Sequence, residues 1–305
     1  MIRAKKLVNY PLDIPENQRG RGVNIAFLDS GISKHPDISG RIVAFKDFVN
    51  GKEFPYDDIG HGTHVCGIAA GNGKASGGLY AGIAPEAGII MAKVLNNRGD
   101  GNSEDMLAAI DWLLELKKKL PFRILNISIG TKCDSDGSNG KLLMEAVERA
   151  WAADMVVICA TGNNGPMAMS LTPMSMSKKT ISIGCHDEGY HSKSGYCCED
   201  YSGRGPSKYD LRKPDLVAPG TDIMSCFYKY TGNSRKYKPY IRKSGTSMAT
   251  PIVSGAVALL LSKYPLLTNE EVKQRLLYSA RDLNEIWTKQ GWGMLDIKKL
   301  LNMSY

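Results

Sequence analysis

Three short strings in this chain place a carboxylate, an imidazole and a hydroxyl where each could take part in hydrolysis. Asp29-Ser30-Gly31 ends an apolar run. A carboxylate at a strand tip, followed by a glycine that permits a sharp turn, is placed to orient a histidine. The same string also reads as an Asx turn. The segment 58–67, DIGHGTHVCG, carries His61 and His64, two of the five histidines in the chain. His61 stands between glycines where a loop becomes a helix, so its ring is expected to be exposed. As metal ligands the two are poorly matched, being three apart with no glutamate between them. A histidine here can equally be structural. The third string, 244–251, SGTSMATP, opens the apolar stretch 252–261. Ser247 could be a helix N-cap. Thr246 can supply that cap instead, Gly245 permits close backbone approach, and Ser247 then lies at the positive end of the helix, where N–H groups can meet an oxyanion. Pro251 is expected in the first turn, where its missing N–H costs little.

Together the strings give Asp, His and Ser in that chain order, the order of subtilisin rather than of chymotrypsin or the α/β-hydrolases. They resemble the three signature blocks of the subtilisin-like serine peptidases. A fourth block, 160–165, ATGNNG, resembles that family's oxyanion asparagine segment. The resemblance runs from about residue 22 to 295, nearly the whole chain. It implies an α/β, single-domain, three-layer sandwich with a mostly parallel central sheet. It also implies a serine endopeptidase acting through an acyl-enzyme. Ser247 would be the nucleophile, His61 the general base and acid, and Asp29 the group that holds the imidazole. Asn163 would donate to the oxyanion. A peptide would lie extended between Gly99-Asp100-Gly101 and Ser128-Ile129-Gly130, by strand addition. Taken alone, the first of these segments is a turn. Asn164 and Leu171 are implied as lining the primary pocket, which is therefore expected to prefer uncharged residues. Polypeptides are the expected partners, with neither nucleic acid nor membrane.

Several positions depart from the family pattern. The calcium loop of many secreted members is replaced by 71–78, GNGKASGG, which has few oxygen side chains and carries a lysine. Calcium is thus not expected to be bound there or required as a cofactor, although Asp37 matches a ligand position. That loop, Ser202-Gly203-Arg204-Gly205-Pro206 and Lys213-Pro214-Asp215-Leu216 resemble the AprX-like bacterial intracellular branch. Ile252 stands where many members have histidine, which implies altered packing. Residues 1–21 form a short N-terminal extension to a 22–305 peptidase domain. They are too few for a folded pro-domain, leaving an inhibitory or docking tail, or a mature fragment.

These strings need a scaffold, and the remaining sequence supplies its pattern. Continuous apolar runs at 23–28, 88–95, 123–129, 155–160 and 180–184 predict strands covered on both faces. Helical patterns fall at 103–120 and 141–153, and Thr268 with Glu271 predicts a capping box for a helix reaching about residue 280. Long loops are expected at 71–78, 131–140 and 227–243. At 305 residues, 43% hydrophobic and 23% charged, the chain excludes a disordered or collagenous protein. No run approaches the roughly 18 continuous apolar residues of a membrane span. The net charge of +8 is scattered, apart from Lys117-Lys118-Lys119 and 235–243, and marks no nucleic-acid module. Seven cysteines, odd in number and without a repeating spacing, argue against a disulfide framework and for a reducing, cytoplasmic setting. Cys66 is expected in the core, and Cys197-Cys198 as an idle pair of thiols.

Overall fold

The computed structural model describes residues 1–130, 138–193, 195–206, 211–232 and 235–303. Cys133 and most of the 131–140 loop lie outside them, as do residues 233–234 of the 227–243 loop.

Among the described residues seven strands form one sheet. They are β1 (Asn24–Asp29), β2 (Ile42–Asp47), β3 (Gly88–Lys93), β4 (Ile124–Ile127), β5 (Val156–Ala160), β6 (Ile181–Cys185) and β7 (Leu216–Ala218). The order is β2-β3-β1-β4-β5-β6-β7 and every neighbouring pair is parallel. The five apolar runs all become strands, and β1, β3, β4, β5 and β6 are buried almost throughout. β2 and β7 carry no such signal. β2 is an edge strand, partly exposed and with a register shift between Ile42 and Ala44, and β7 has only three residues. A separate antiparallel pair, β8 (Ile223–Cys226) with β9 (Tyr240–Lys243), also went unpredicted.

The helices are α1 (Ile2–Leu7), α2 (His61–Ala70), α3 (Ser103–Lys117), α4 (Ser138–Ala152), α5 (Thr246–Lys263), α6 (Asn269–Ser279), α7 (Trp287–Gln290) and α8 (Ile297–Asn302). α2 packs with α5 and α3 packs with α4, and these pairs cover the sheet. α6 begins at the expected capping box, with Thr268 Oγ1 accepting from the Glu271 N–H at 3.2 Å and Glu271 Oε2 accepting from the Thr268 N–H at 2.7 Å. α5, at 18 residues, is long and apolar enough to cross a membrane by length and composition alone. It is instead the core helix under the sheet, buried from Met248 to Leu261. Residues 1–21 pack against the body. Met1, Ala4, Val8 and Ile14 are buried, and Arg3 pairs with Asp187 at 2.5 Å.

The cysteines depart from expectation. Cys185, at the end of β6, forms a disulfide with Cys198, their Cα atoms 5.6 Å apart. The return of the chain from β6 creates this pairing across thirteen residues, and no local spacing announces it. Cys197 remains a buried thiol.

β1 has β3 on one side and β4 on the other, while the chain visits β3 before β4. That change of direction is a topological switch point, and a crevice opens there at the carboxyl ends of the strands. Asp29 ends β1 in this crevice.

Candidate active site

Asp29 is fully buried, and its Oδ1 accepts the Ser30 N–H at 2.7 Å. The same oxygen lies 2.7 Å from His61 Nδ1. A carboxylate accepts only, so the neutral ring carries its proton on Nδ1 and leaves Nε2 as a base. The His61 side chain is 21% exposed, enough for a substrate to reach it.

Glycine makes this pairing close. A Cβ on Gly62 would come 2.2 Å from the Gly31 carbonyl oxygen and 3.1 Å from Asp29 Oδ1. Only a residue without a side chain lets the first turn of α2 sit on the β1 tip. Asp57 then caps that turn. Its Oδ1 accepts from the Gly60 N–H at 2.8 Å and the Ser30 hydroxyl at 2.8 Å. Its Oδ2 accepts from the Thr63 N–H at 2.9 Å and the Thr63 hydroxyl at 2.6 Å. Ser30 Oγ in turn accepts from the Gly62 N–H at 2.9 Å. One buried carboxylate therefore ties the aspartate loop to the histidine helix. Lys93, buried on the neighbouring strand, donates to the Ser30 and Leu95 carbonyls at 2.7 and 2.6 Å and pairs with Asp58 at 2.9 Å. Lys243 Nζ donates to the Gly60 carbonyl at 3.1 Å. Burial pulls its ammonium below the ordinary lysine range, while Asp57 and Asp29 pull it back up.

None of these three supports was found from sequence. An aspartate four residues before a histidine at a helix start is a capping signal that could have shown Asp57. Lys93 and Lys243 left no comparable trace.

Ser247 is the second residue of α5 and half-buried. Its hydroxyl has no hydrogen-bond partner among the described residues. Such bonds are often long before substrate binds. The N-cap is Gly245, at φ 146°, a backbone that excludes most side chains. Thr246 does not cap, contrary to expectation. Its N–H and hydroxyl both donate to Asn163 Oδ1, each at 3.1 Å. Those bonds fix the Asn163 amide with its oxygen toward α5, which leaves Nδ2 as the free donor end. Pro251 also departs from expectation, lying in the second turn, five residues after Thr246. Without an N–H it leaves the Ser247 carbonyl outside the helical ladder, loosening the helix at the nucleophile. Deeper in, Ser254 Oγ donates to Asn126 Oδ1 and Asn126 Nδ2 to Ser128 Oγ, both at 2.8 Å, locking α5 to β4.

Ser247 and Asn163 border one cavity of about 410 Å³, with Gly130, Asn164 and Leu171 also in its wall. Of these, Asn164 and Leu171 are the two positions expected to line the primary pocket. Ser128 and Ile129, the two residues before Gly130, are buried. Gly99-Asp100-Gly101 lies apart. The turn is closed by the Asn96 N–H donating to the Asp100 carbonyl at 2.9 Å, and Asn96 Oδ1 accepts from the Asp100 N–H at 3.1 Å. A Cβ on Gly99 would come 3.3 Å from Ile59, so this turn flanks the His61 side of the crevice.

Two other titratable groups bear on metal and pH. Asp37 sits with His35 and Cys226, their ligand atoms within 4.8 Å of one another. Its oxygens already accept from the Ala75 N–H at 2.8 Å and the Tyr240 hydroxyl at 2.8 Å. The neighbouring donors are a nitrogen and a sulfur, whereas calcium takes six to eight oxygens, so this donor set is a poor match for calcium. His64 belongs to the core. Its Nε2 donates to the Ile223 and Ile241 carbonyls at 3.0 and 3.1 Å, and burial pulls its pKa down to about 3. The unfolded chain takes up a proton there below about pH 6.5 and the native state does not. This contribution is therefore complete above that pH and is lost as pH falls toward 3. Between pH 7 and 5 it should remove about 2 kcal/mol of unfolding free energy. Urea titrations at the two pH values check this, and His64→Gln should show the shallower loss. Equal losses in both proteins would refute it.

The chain is similar to known proteins over most of its length. The family model described as "Subtilase family" matches residues 20–293. Serine protease AprX of Bacillus subtilis (strain 168) is 41% identical over 268 residues, covering 84% of this chain and 61% of that protein. The chain thus spans about three fifths of that relative. Subtilisin DY of Bacillus licheniformis is 30% identical, covering 93% of this chain and 92% of its own. An intracellular serine protease of Paenibacillus polymyxa is 35% identical, covering 99% and 87%. Among solved structures, a cold adapted subtilisin-like serine proteinase superposes with a TM-score of 0.69 at 26% identity, covering 91% of this chain and 89% of that one.

Proposed function

The chain belongs to the subtilase family, and from that premise we propose that it is a serine endopeptidase whose centre is Asp29, His61 and Ser247. The observation that carries the reading is the 2.7 Å contact between a buried carboxylate and His61 Nδ1.

In this reading Nε2 of neutral His61 takes the Ser247 proton as Oγ attacks the scissile carbonyl, and it later returns that proton to the leaving amine. Asp29 holds the ring in one tautomer and stabilises the imidazolium. Asn163 Nδ2 and the Ser247 N–H receive the oxyanion. A side-chain donor of this kind stabilises the transition state by about 2.7–4 kcal/mol, a value carried here by analogy from subtilisin. Fluorophosphonate labelling tests the reading. Wild type should be labelled at Ser247 and should digest casein. An unlabelled, inactive wild type would leave a peptide-binding pseudopeptidase as the account.

The substrates follow from the cavity. Its side chains are Asn163, Asn164, Leu171, Thr172, Pro173, Thr246 and Ser247 with small neighbours, none of them charged. An unpaired charge entering it would be costly. The enzyme should therefore cut extended, unfolded segments after uncharged residues. Asp100, on the far flank, adds a weak pull on basic residues further N-terminal, which fades with salt. Cleavage-site profiling on denatured peptides reads this, and a strict demand for a charged residue before the scissile bond would defeat it.

Catalysis in this reading needs no metal. EDTA should leave most of the activity at moderate temperature, because Ala75 and Tyr240 satisfy Asp37. Complete loss that calcium restores would overturn the assignment of that loop.

A further inference from the structure

A second cavity, of about 380 Å³, shares Asn163 with the first and is bounded by Tyr196, Tyr201, Asp222 and Ser244. Ser247 borders the first cavity, and Ser244 lies three residues before it. If the scissile carbonyl sits between Ser247 and Asn163, the acyl side fills the first cavity. The chain beyond the scissile bond then passes the second.

Asp222 supplies a charge to that cavity. Its backbone is held at φ 52°, with its N–H donating to Ser244 Oγ at 2.9 Å. Its Oδ2 accepts from the Tyr190 hydroxyl at 3.3 Å. No cation pairs with it among the described residues. The nearby guanidinium of Arg3 donates to Asp187 and to the Thr221 carbonyl, each at 2.5 Å, and stacks 3.9 Å over the Tyr190 ring, without pairing with Asp222. A half-buried carboxylate without a counter-charge attracts one, and tyrosine faces also favour a cation. The wall is preorganised. Tyr196 stands on the segment that the Cys185–Cys198 disulfide closes at its base.

We propose that this second cavity receives an arginine or lysine side chain from the first or second residue after the scissile bond, with Asp222 as its counter-charge. The proposal rests on the catalytic reading of Ser247 and Asn163 given above.

Acyl transfer reads this side of the crevice directly. A peptide ester forms the acyl-enzyme, and an added amine then competes with water for the acyl group, giving a peptide bond and free Ser247. Argininamide should capture the acyl group about 3- to 10-fold better than citrullinamide, which has nearly the same shape and no charge. Asp222→Asn keeps a residue type that tolerates the left-handed backbone. It should bring the ratio to about 1 while ester hydrolysis and fluorophosphonate labelling stay at wild-type levels. Tyr196→Ala, at a position 67% exposed, should lower the ratio in part without unfolding the protein. Equal capture of the two amides by wild type, or an undiminished ratio in Asp222→Asn, would overturn the assignment. Failure of wild type to be labelled or to hydrolyse the ester would instead overturn the catalytic reading on which it rests.

Discussion

Ser247→Ala is expected to lower kcat for peptide hydrolysis by on the order of 10⁶-fold while leaving the fold intact. The first part follows from the chemistry. Without Oγ there is no nucleophile, and what remains is binding plus the Asn163 amide, together worth roughly 10³–10⁴ over water. The second part follows from the structure. The Ser247 hydroxyl has no hydrogen-bond partner among the described residues, so its removal breaks no contact that holds α5 in place. Helix position is secured deeper in the core by Ser254 and Asn126. Thermal melting should therefore barely change, and fluorophosphonate labelling should vanish. His61→Ala should be comparably severe, and the double variant no worse than either alone, because the two act as a unit. Activity near that of wild type in Ser247→Ala would end the assignment.

The catalytic candidates were legible in the sequence because each is announced within a few neighbours. Gly31, Gly62 and Gly245 are demanded by backbone approaches that a Cβ would block at all but Gly245, where the backbone angle makes the demand, so the requirement is written beside the residue it serves. The buried strands were legible for a similar reason, since a strand covered on both faces must be apolar throughout. What sequence could not show is what the fold assembles from distant segments. Asp57 joins two loops through the Ser30 hydroxyl, and Lys93 reaches the same loop from the adjacent strand. Each looks ordinary in its own neighbourhood. Thr246 was misread because capping is the common local use of a threonine before a helix, whereas here Asn163, 83 residues away, takes both of its donors. The Cys185–Cys198 pairing and the cavity beside Asp222 belong to the same class.

Asp29→Asn tests the geometry most sharply, with an expected loss of about 10⁴-fold in kcat. The substitution is nearly isosteric, so packing is preserved and the effect isolates charge and hydrogen-bond direction. Asp29 Oδ1 accepts the Ser30 N–H and faces His61 Nδ1, both at 2.7 Å. Asp29 Oδ2 is buried and has no partner among the described residues. The asparagine amide then has two orientations, and each is deficient. With its oxygen in the Oδ1 position, it keeps the tautomer but gives up the negative charge that stabilises the imidazolium, and its NH₂ is buried without an acceptor. With the NH₂ in that position, it opposes the Ser30 N–H and donates to Nδ1, which moves the ring proton to Nε2 and removes the base. Asp57→Asn is the control. That residue touches neither the ring nor the Ser247 hydroxyl, and its loss weakens the cap on α2. It should cost about 1–3 kcal/mol of unfolding free energy, with a much smaller drop in kcat. Steady-state kinetics and urea titration of the two variants separate these outcomes. An Asp29→Asn enzyme within tenfold of wild type would show that the buried carboxylate does not hold the catalytic imidazole.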